Sequence, residues 1–363
     1  MSLRNDHEGT VITVVGEIDP EDLGITQPHE HLLSDLSVYF GEPAENSQRS
    51  IAYQPVSWDN IRWVKYHIRH NLDAAKQLDE KVALEELMLF KTHGGESIVD
   101  QTSIGLGRDP RALARISRIA GVNIIMGTGH YVTSPNDTVM DSRTADDLAE
   151  EIITDVKIGV GGSTPFATGI RAGIIGEVGC SSPLRDNERK ALIAAALAQQ
   201  ETGLSISVHP GRNENAPLES VEVLRQARAN LERVIICHMD RCGYLLETRL
   251  KLLDAGCYIE YDLFGTEGWY PADACLADGR LPEMPNDVGR LKQISELIEK
   301  GYLDKILMSH DICYKIMQAR WGGPGYAHII ENVVPIMPIY GYTPEQIHAL
   351  TVENPKSVLT INK

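Results

Sequence analysis

The chain has 363 residues, 51 Asp and Glu against 34 Lys and Arg, and a formal net charge of −17. Its 42% hydrophobic content is enough for a large core, which sets global disorder aside. A chain this acidic is repelled by nucleic acid and by anionic membranes, so neither is expected as a partner. An anionic small molecule stays open, because a few cations in a closed pocket outweigh a distant negative surface.

From the N-terminus, Met1–Gly9 lacks the apolar run of a signal peptide, and no later stretch approaches the ~18 apolar residues of a membrane span. Gly9 to Leu23 alternates apolar and polar residues around the turn signal Asp19-Pro20 and reads as a hairpin that caps something. Eight short, nearly continuous apolar runs follow: Leu23–Pro28, Glu96–Gln101, Val122–Gly127, Gly173–Gly176, Leu204–Val208, Val234–Cys237, Cys257–Tyr261 and Lys305–Met308. Such runs suit parallel strands buried on both faces. Helical patterns lie between them. Val82–Lys91 stops at Gly94-Gly95. Thr144–Gly159 opens with the capping pair Thr144 and Asp147. Asp186–Thr202 ends at Gly203, where a helix C-terminus favours positive φ. Pro217 opens Leu218–Asn230, and Tyr244–Leu253, Asp287–Lys300 and Tyr326–Ile336 complete the set. Six cysteines, none in a CxxC pair, read as reduced core thiols of a cytoplasmic protein.

Eight strands alternating with helices predict an α/β protein, a (β/α)8 TIM barrel with an N-terminal β-hairpin and long βα loops. Length alone suggests about two domains; the alternation predicts a hairpin over 1–22 and one barrel over 23–363. A doubly wound open sheet would carry a glycine-rich phosphate turn after its first strand, and here that strand runs into Pro28-His29-Glu30-His31. The loops after strands one, seven and eight (Asp35–Trp58, Leu263–Asn286, Ile312–Gly325) are long and would emerge on the face where barrels build active sites.

The titratable residues fall at strand ends. His29 and His31 are two apart on an extended chain, so both imidazoles point to one side. Glu177, His209, His238 and Asp311 end the fourth, fifth, sixth and eighth strands. A lone His-x-His or strand-end histidine is more often a packed residue than a ligand. Six such residues on one face are hard to obtain by packing. Imidazole nitrogen and carboxylate oxygen without thiolate suit zinc first, and manganese, iron or cobalt as well. Six ligands exceed the need of one catalytic ion, so two divalent ions are expected, with Glu177 as the bridge and as a catalytic residue beside Asp311. Two such ions hold a shared water, lower its pKa and polarise a bound phosphoryl or carbonyl oxygen; Asp311 would take the proton. His310 alternates away from the ligand side and reads as structural.

Gly24-Ile-Thr-Gln-Pro-His-Glu-His31, Gly176-Glu-Val-Gly179, Val208-His-Pro-Gly211, Ile236-Cys-His-Met-Asp-Arg241 and Ser309-His-Asp311 together resemble the phosphotriesterase family of the amidohydrolase superfamily, in its phosphotriesterase-related and homology-protein branches. The resemblance spans nearly the whole chain from Leu23. It implies that His29, His31 and Asp311 hold the more buried ion and that His209 and His238 hold the more exposed one. Many members bridge the ions with a carboxylated lysine on strand four; here Glu177 stands at that position, and neither Lys157 nor Lys190 is at a strand end. Dimers are common in the family, and the sequence leaves the oligomer open.

Arg241, Lys315 and Arg320 lie on loops at the same face, with Tyr131 after strand three, and are read as substrate-binding residues for an anionic group. The competing reading pairs Arg241 with Asp240 or Asp262. Trp269 and Tyr270 are read as lid packing. The expected function is a metal-dependent hydrolase acting on ester bonds, first an anionic phosphonate or phosphate ester. The alternatives are a lactonase acting on a sugar lactone, phosphorylated or not, and, more remotely, a barrel that binds a small ligand without chemistry.

Overall fold

The computed structural model describes residues 9–132, 137–267 and 283–362. Strands β1 (Val11–Thr13) and β2 (Gly16–Ile18) pair antiparallel, Val11 opposite Ile18. The hairpin therefore turns at Val14-Val15. Asp19-Pro20, the expected turn, instead opens a short 3-10 helix whose Glu21 amide donates to the Asp19 side chain. After β3 (Thr26–Glu30), β4 (Ser34–Asp35) and β5 (Lys76–Gln77) form a two-stranded ribbon within the first long loop. Then come β6 (Ser97–Asp100), β7 (Asn123–Thr128), β8 (Ile174–Gly179), β9 (Ile206–His209), β10 (Val234–Ile236), β11 (Tyr258–Tyr261) and β12 (Ile306–Met308).

Strand β3 and the seven strands from β6 to β12 form one sheet, in chain order and all parallel. Between β12 and β3 the sheet is nearly closed by a seam. Ser309 Oγ accepts from the His29 amide at 3.1 Å and donates to the His29 carbonyl at 2.7 Å, and the Asp311 amide donates to the same carbonyl at 3.2 Å. The architecture is the TIM-type barrel that the alternation predicts. Each barrel strand overlaps its expected run. The first begins three residues late, at Thr26, because Gly24 takes φ +57° and breaks the extended chain before it.

Barrel strands read as continuous apolar runs because both faces are covered. One cluster gathers Leu23, Val99, Ile125, Ile174, Ile235 and Leu307 with Val11 of the hairpin, all buried, so the hairpin packs against the barrel strands. Helices cover the outside. Thr144 and Asp147 form the expected capping box on Ala145–Lys157. Asp186–Thr202 has its expected bounds and closes on Gly203 at φ +74°. Pro110–Ala120, between β6 and β7, is a helix not among those expected, although its signals are all present: Asp109 capping the Ala112 amide, Pro110 at the first turn and Gly121 at φ +62°. Tyr326–Ile336 becomes a π-helical turn at Ile329–Val333 followed by a 3-10 helix through Tyr340, because Pro335 and Pro338 donate no amide. Cys180, Cys237, Cys242 and Cys257 are buried and unbridged, as expected of core thiols. No helix among the described residues is long and apolar enough to cross a membrane.

Candidate metal centre and active-site cavity

Irregular backbone aims the candidate ligands. The β3–β6 register shifts between Gln27 and Glu30, around His29. The β8–β9 register shifts between Ile175 and Val178, so Glu177 sits at a bulge inside a strand that runs on to Gly179 rather than ending at Gly176. Bulges beside active sites re-aim side chains in this way. His238 and Asp311 follow β10 and β12 at φ +58° and +51°. Such backbone costs roughly 1–3 kcal/mol for a residue with a Cβ and tends to collect at functional sites.

The six residues meet at one point. Glu177 Oε1 lies 2.8 Å from His209 Nδ1, 2.8 Å from His238 Nε2 and 3.7 Å from His29 Nε2. Asp311 Oδ1 lies 3.3 Å from His31 Nε2 and 3.7 Å from His29 Nε2. Two overlapping groups of ligand atoms result, His29–His31–Asp311 and His29–Glu177–His238. His209 joins the second group, with Nδ1 2.9 Å from His238 Nε2. All are at least nine-tenths buried except Asp311, whose side chain is 15% exposed.

Three of the four imidazoles are turned by an oxygen partner on the other nitrogen. His29 Nδ1 lies 3.0 Å from Glu260 Oε2 and 3.3 Å from Asp262 Oδ2. His238 Nδ1 lies 2.8 Å from Asp262 Oδ1, and His31 Nδ1 lies 2.9 Å from Thr102 Oγ1. Carboxylate partners of this kind fix the tautomer and leave the far nitrogen's lone pair for a metal. His29 Nε2 is buried with no hydrogen-bond partner, and it faces both groups. The donor set and this orphaned nitrogen fit a pair of divalent ions.

The electrostatics divide the four imidazoles: against burial, the groups around His29 (Cys237, Glu177, Asp262) and the Asp311 beside His31 raise those two, while His209 and His238 are lowered. Burial pushes His209 down to about 4, with Arg241 adding to the effect, so its imidazole is neutral in ordinary buffers. Burial and Arg241 push His238 in the same direction. Burial would raise the Glu177 carboxyl, but the hydrogen bonds from His209 and His238 and the charge of His29 outweigh it and hold it well below the usual range. Asp311 is likewise held low, against burial, by the hydrogen bond from His31 and the charges of His29 and His31.

Above the ligands opens a cavity of about 630 Å3. Tyr131 and Arg241 line it. Tyr131 OH is 3.2 Å from His209 Nδ1 and accepts from Tyr39 OH at 3.0 Å; burial keeps the phenol protonated. Only glycine fits at 179, where a Cβ would lie 2.1 Å from the Val132 amide nitrogen and push the Tyr131 segment away. Arg241 Nη1 lies 3.1 Å from His209 Nε2, and its Nη2 donates to the Pro210 carbonyl at 2.5 Å. Neither anticipated acidic partner engages Arg241 in these bonds; Asp240 is taken by Arg290 at 2.6 Å.

Lys315 and Arg320 lie elsewhere. They line a separate cavity of about 740 Å3. Lys315 Nζ bonds Asp73 Oδ1 at 2.7 Å, and Arg320 Nη1 faces Glu85 at 3.8 Å. The loop after β12 doubles back under the first loop, its Lys315 amide bonded to the Ala74 carbonyl, and carries both cations off the ligand side. The cations that join Arg241 on the ligand cavity are Arg62, Lys65, Arg69 and Arg212. His310 is structural as expected, held by Glu30 at 2.6 Å and accepting from the Ile329 amide. Trp269 and Tyr270 lie outside the described residues.

Sequence reasoning missed Glu260 and Asp262. Their signal was available: two acids at i and i+2 in the apolar run Tyr258-Ile-Glu-Tyr-Asp262, the same spacing that marks His29 and His31.

A TIM-type barrel with these donors converging at the C-terminal ends of its strands defines the class: a metal-dependent hydrolase. The model of the phosphotriesterase family matches residues 9–359. An N-acetyltaurine hydrolase from Dictyostelium discoideum is 39% identical over 376 residues, covering 98% of this chain and 99% of that protein. Among solved structures, a resiniferatoxin-binding protein from Rhodobacter sphaeroides superposes with TM-score 0.89 at 33% identity, covering 98% of this chain and 96% of its own. The phosphotriesterase homology protein from Escherichia coli, complexed with phosphate in its active site, superposes with TM-score 0.75 at 25% identity, covering 94% and 100%. The chain belongs to the phosphotriesterase family.

Proposed function

We propose that the protein hydrolyses the acyl bond of a small anionic conjugate, an amide of the N-acetyltaurine type. The observation that carries this reading is the pairing, in one cavity, of a carboxylate–imidazole ligand cluster with five cationic side chains. The relatives named N-acetyltaurine hydrolase favour an amide over the phosphorus ester that the sequence placed first.

The ligand set is His29, His31 and Asp311 on one side and His209 and His238 on the other, with Glu177 between. Bound there, the ions supply an activated water and polarise the substrate carbonyl. The chain's own groups do the rest. Asp311, a carboxylate partly open to the cavity, takes the proton released by the attacking water and hands it to the departing nitrogen, which leaves as an amine. Tyr131, kept protonated by burial, donates toward the oxygen on which negative charge grows. Arg241 holds the His209 ring and adds positive potential to the same wall.

The test is turnover by metal-loaded protein across N-acetyltaurine, a p-nitrophenyl phosphonate ester and sugar lactones. Release of taurine and acetate is expected. Turnover of the ester or lactones without the amide overturns the reading. The phosphonate arm tests a second reading, phosphorus-ester hydrolysis, favoured by the phosphate in the active site of the Escherichia coli relative.

A further inference from the structure

The mechanism uses one of the five cations on the cavity wall. Arg69 sits over the Tyr39 ring at 5.1 Å, and Arg62 and Lys65 are exposed. Neither Arg62 nor Lys65 makes an ion pair or hydrogen bond among the described residues. Arg118, Arg228, Lys292 and Lys300 are in the same state among the described residues; what sets Arg62 and Lys65 apart is that they line the ligand cavity, whereas Arg115, Arg143, Arg189, Lys315 and Arg320 each find a carboxylate away from it. Arg62 and Lys65 are three apart on the helix Ile61–Tyr66, so they share a face and repel one another. The helix is fastened by Val64, fully buried with Val56 and Ala74, which leaves the cationic pair on the cavity. Apart from the ligand carboxylates Glu177 and Asp311, the one acid among the described residues lining that cavity is Glu267. Two adjacent cations that pair with no acid, on a cavity floored by the candidate metal ligands, suit the recognition of an oxyanion.

We propose that Arg62 and Lys65 are the specificity edge of the site, selecting substrates whose group remote from the scissile bond is a sulfonate or carboxylate. The proposal rests on the acyl-conjugate reading above. It assigns anion recognition to the loop after β3 rather than to the loop after β12. The planar Arg62 fork can take two oxygens, and Lys65 adds a point charge beside it.

The experiment compares N-acetyltaurine with N-acetylethanolamine, which keeps the amide and replaces the sulfonate by a hydroxyl. In metal-loaded wild type, kcat/KM is expected to favour the sulfonate by at least tenfold. In Arg62→Gln/Lys65→Gln that preference should collapse at least tenfold, mainly through KM for the anion, and Arg62→Glu/Lys65→Glu should reverse it. Arg320→Gln, on the other cavity, should keep it. Raising salt should erode the wild-type preference and leave that of the Gln pair flat. Equal effects on both substrates, or a preference that survives both double variants, overturns the proposal. If wild type hydrolyses neither amide, the acyl-conjugate reading fails, and the edge is then read by calorimetric binding of the same two compounds. Tighter N-acetyltaurine binding that the double variants abolish supports the edge; equal binding refutes it.

Discussion

Replacing Asp262 by Asn removes one carboxylate that orients two candidate ligands. Its Oδ1 lies 2.8 Å from His238 Nδ1 and its Oδ2 3.3 Å from His29 Nδ1, while both oxygens accept from the His238 amide at 3.0–3.1 Å. Loss of a carboxylate behind a ligand histidine costs about 10–100-fold in metal affinity. Asp262 stands behind two histidines that belong to different sides of the site, so a loss of about 100-fold is expected, or roughly 2.7 kcal/mol at 1.36 kcal/mol per decade. The asparagine keeps the volume and one acceptor, so the fold should persist by far-UV circular dichroism. The affinity is read by zinc competition against a chromophoric chelator. Glu260→Gln touches His29 alone, at 3.0 Å, and should lose about tenfold. An Asp262→Asn affinity within threefold of wild type, or a larger loss for Glu260→Gln, refutes the claim that these acids position the ligands.

Glu177→Ala should lose metal and turnover together, measured by metal content after dialysis and by initial rate; retained metal with full turnover removes the bridging role. Arg290, wholly buried, bonds Asp240 at 2.6 Å and Asp287 at 2.9 Å. Arg290→Met leaves Asp240 without its cation, while Asp287 keeps His328 at 2.7 Å, and should cost about 3–5 kcal/mol in urea unfolding; a change under about 1 kcal/mol would refute this. Glu151 is lowered to about 2 by His130, whose Nε2 lies 3.4 Å away, and by Arg143. A depressed carboxyl stabilises the fold above its unfolded pKa of about 4.5, and that contribution is lost as pH falls toward about 2. Its side chain is 35% exposed, so screening leaves roughly 1 kcal/mol. The gap in urea midpoint between wild type and Glu151→Gln should therefore be open at pH 7 and narrow below pH 4.5; a gap that widens in acid contradicts the sign.

The sequence by itself determined the barrel and picked out the candidate ligands that the fold brings together. Strand period, helix caps and strand-end residues are local properties. A side chain two residues along a strand points to the same side wherever that strand sits, which is why His29 and His31 were readable as a pair. Glu260 and Asp262 carried the same spacing and were equally legible. What only the tertiary structure decided is which cations face the ligands. Lys315 and Arg320 sit on the correct face of the barrel in sequence terms, yet the path of their loop carries them to Asp73 and Glu85. Arg62 and Lys65 lie about thirty residues past the first histidine pair, on a short helix whose rotation is set by Val64 packing on Val56 and Ala74. A six-residue helix has no stable orientation of its own. Its exposed face becomes part of a site only when the contacts on its other face are in place, and those contacts come from residues distant in the chain. The charge of −17 follows the same division: it excludes nucleic acid as an expectation for the whole surface, while five cations gathered by the fold set the sign of the cavity wall.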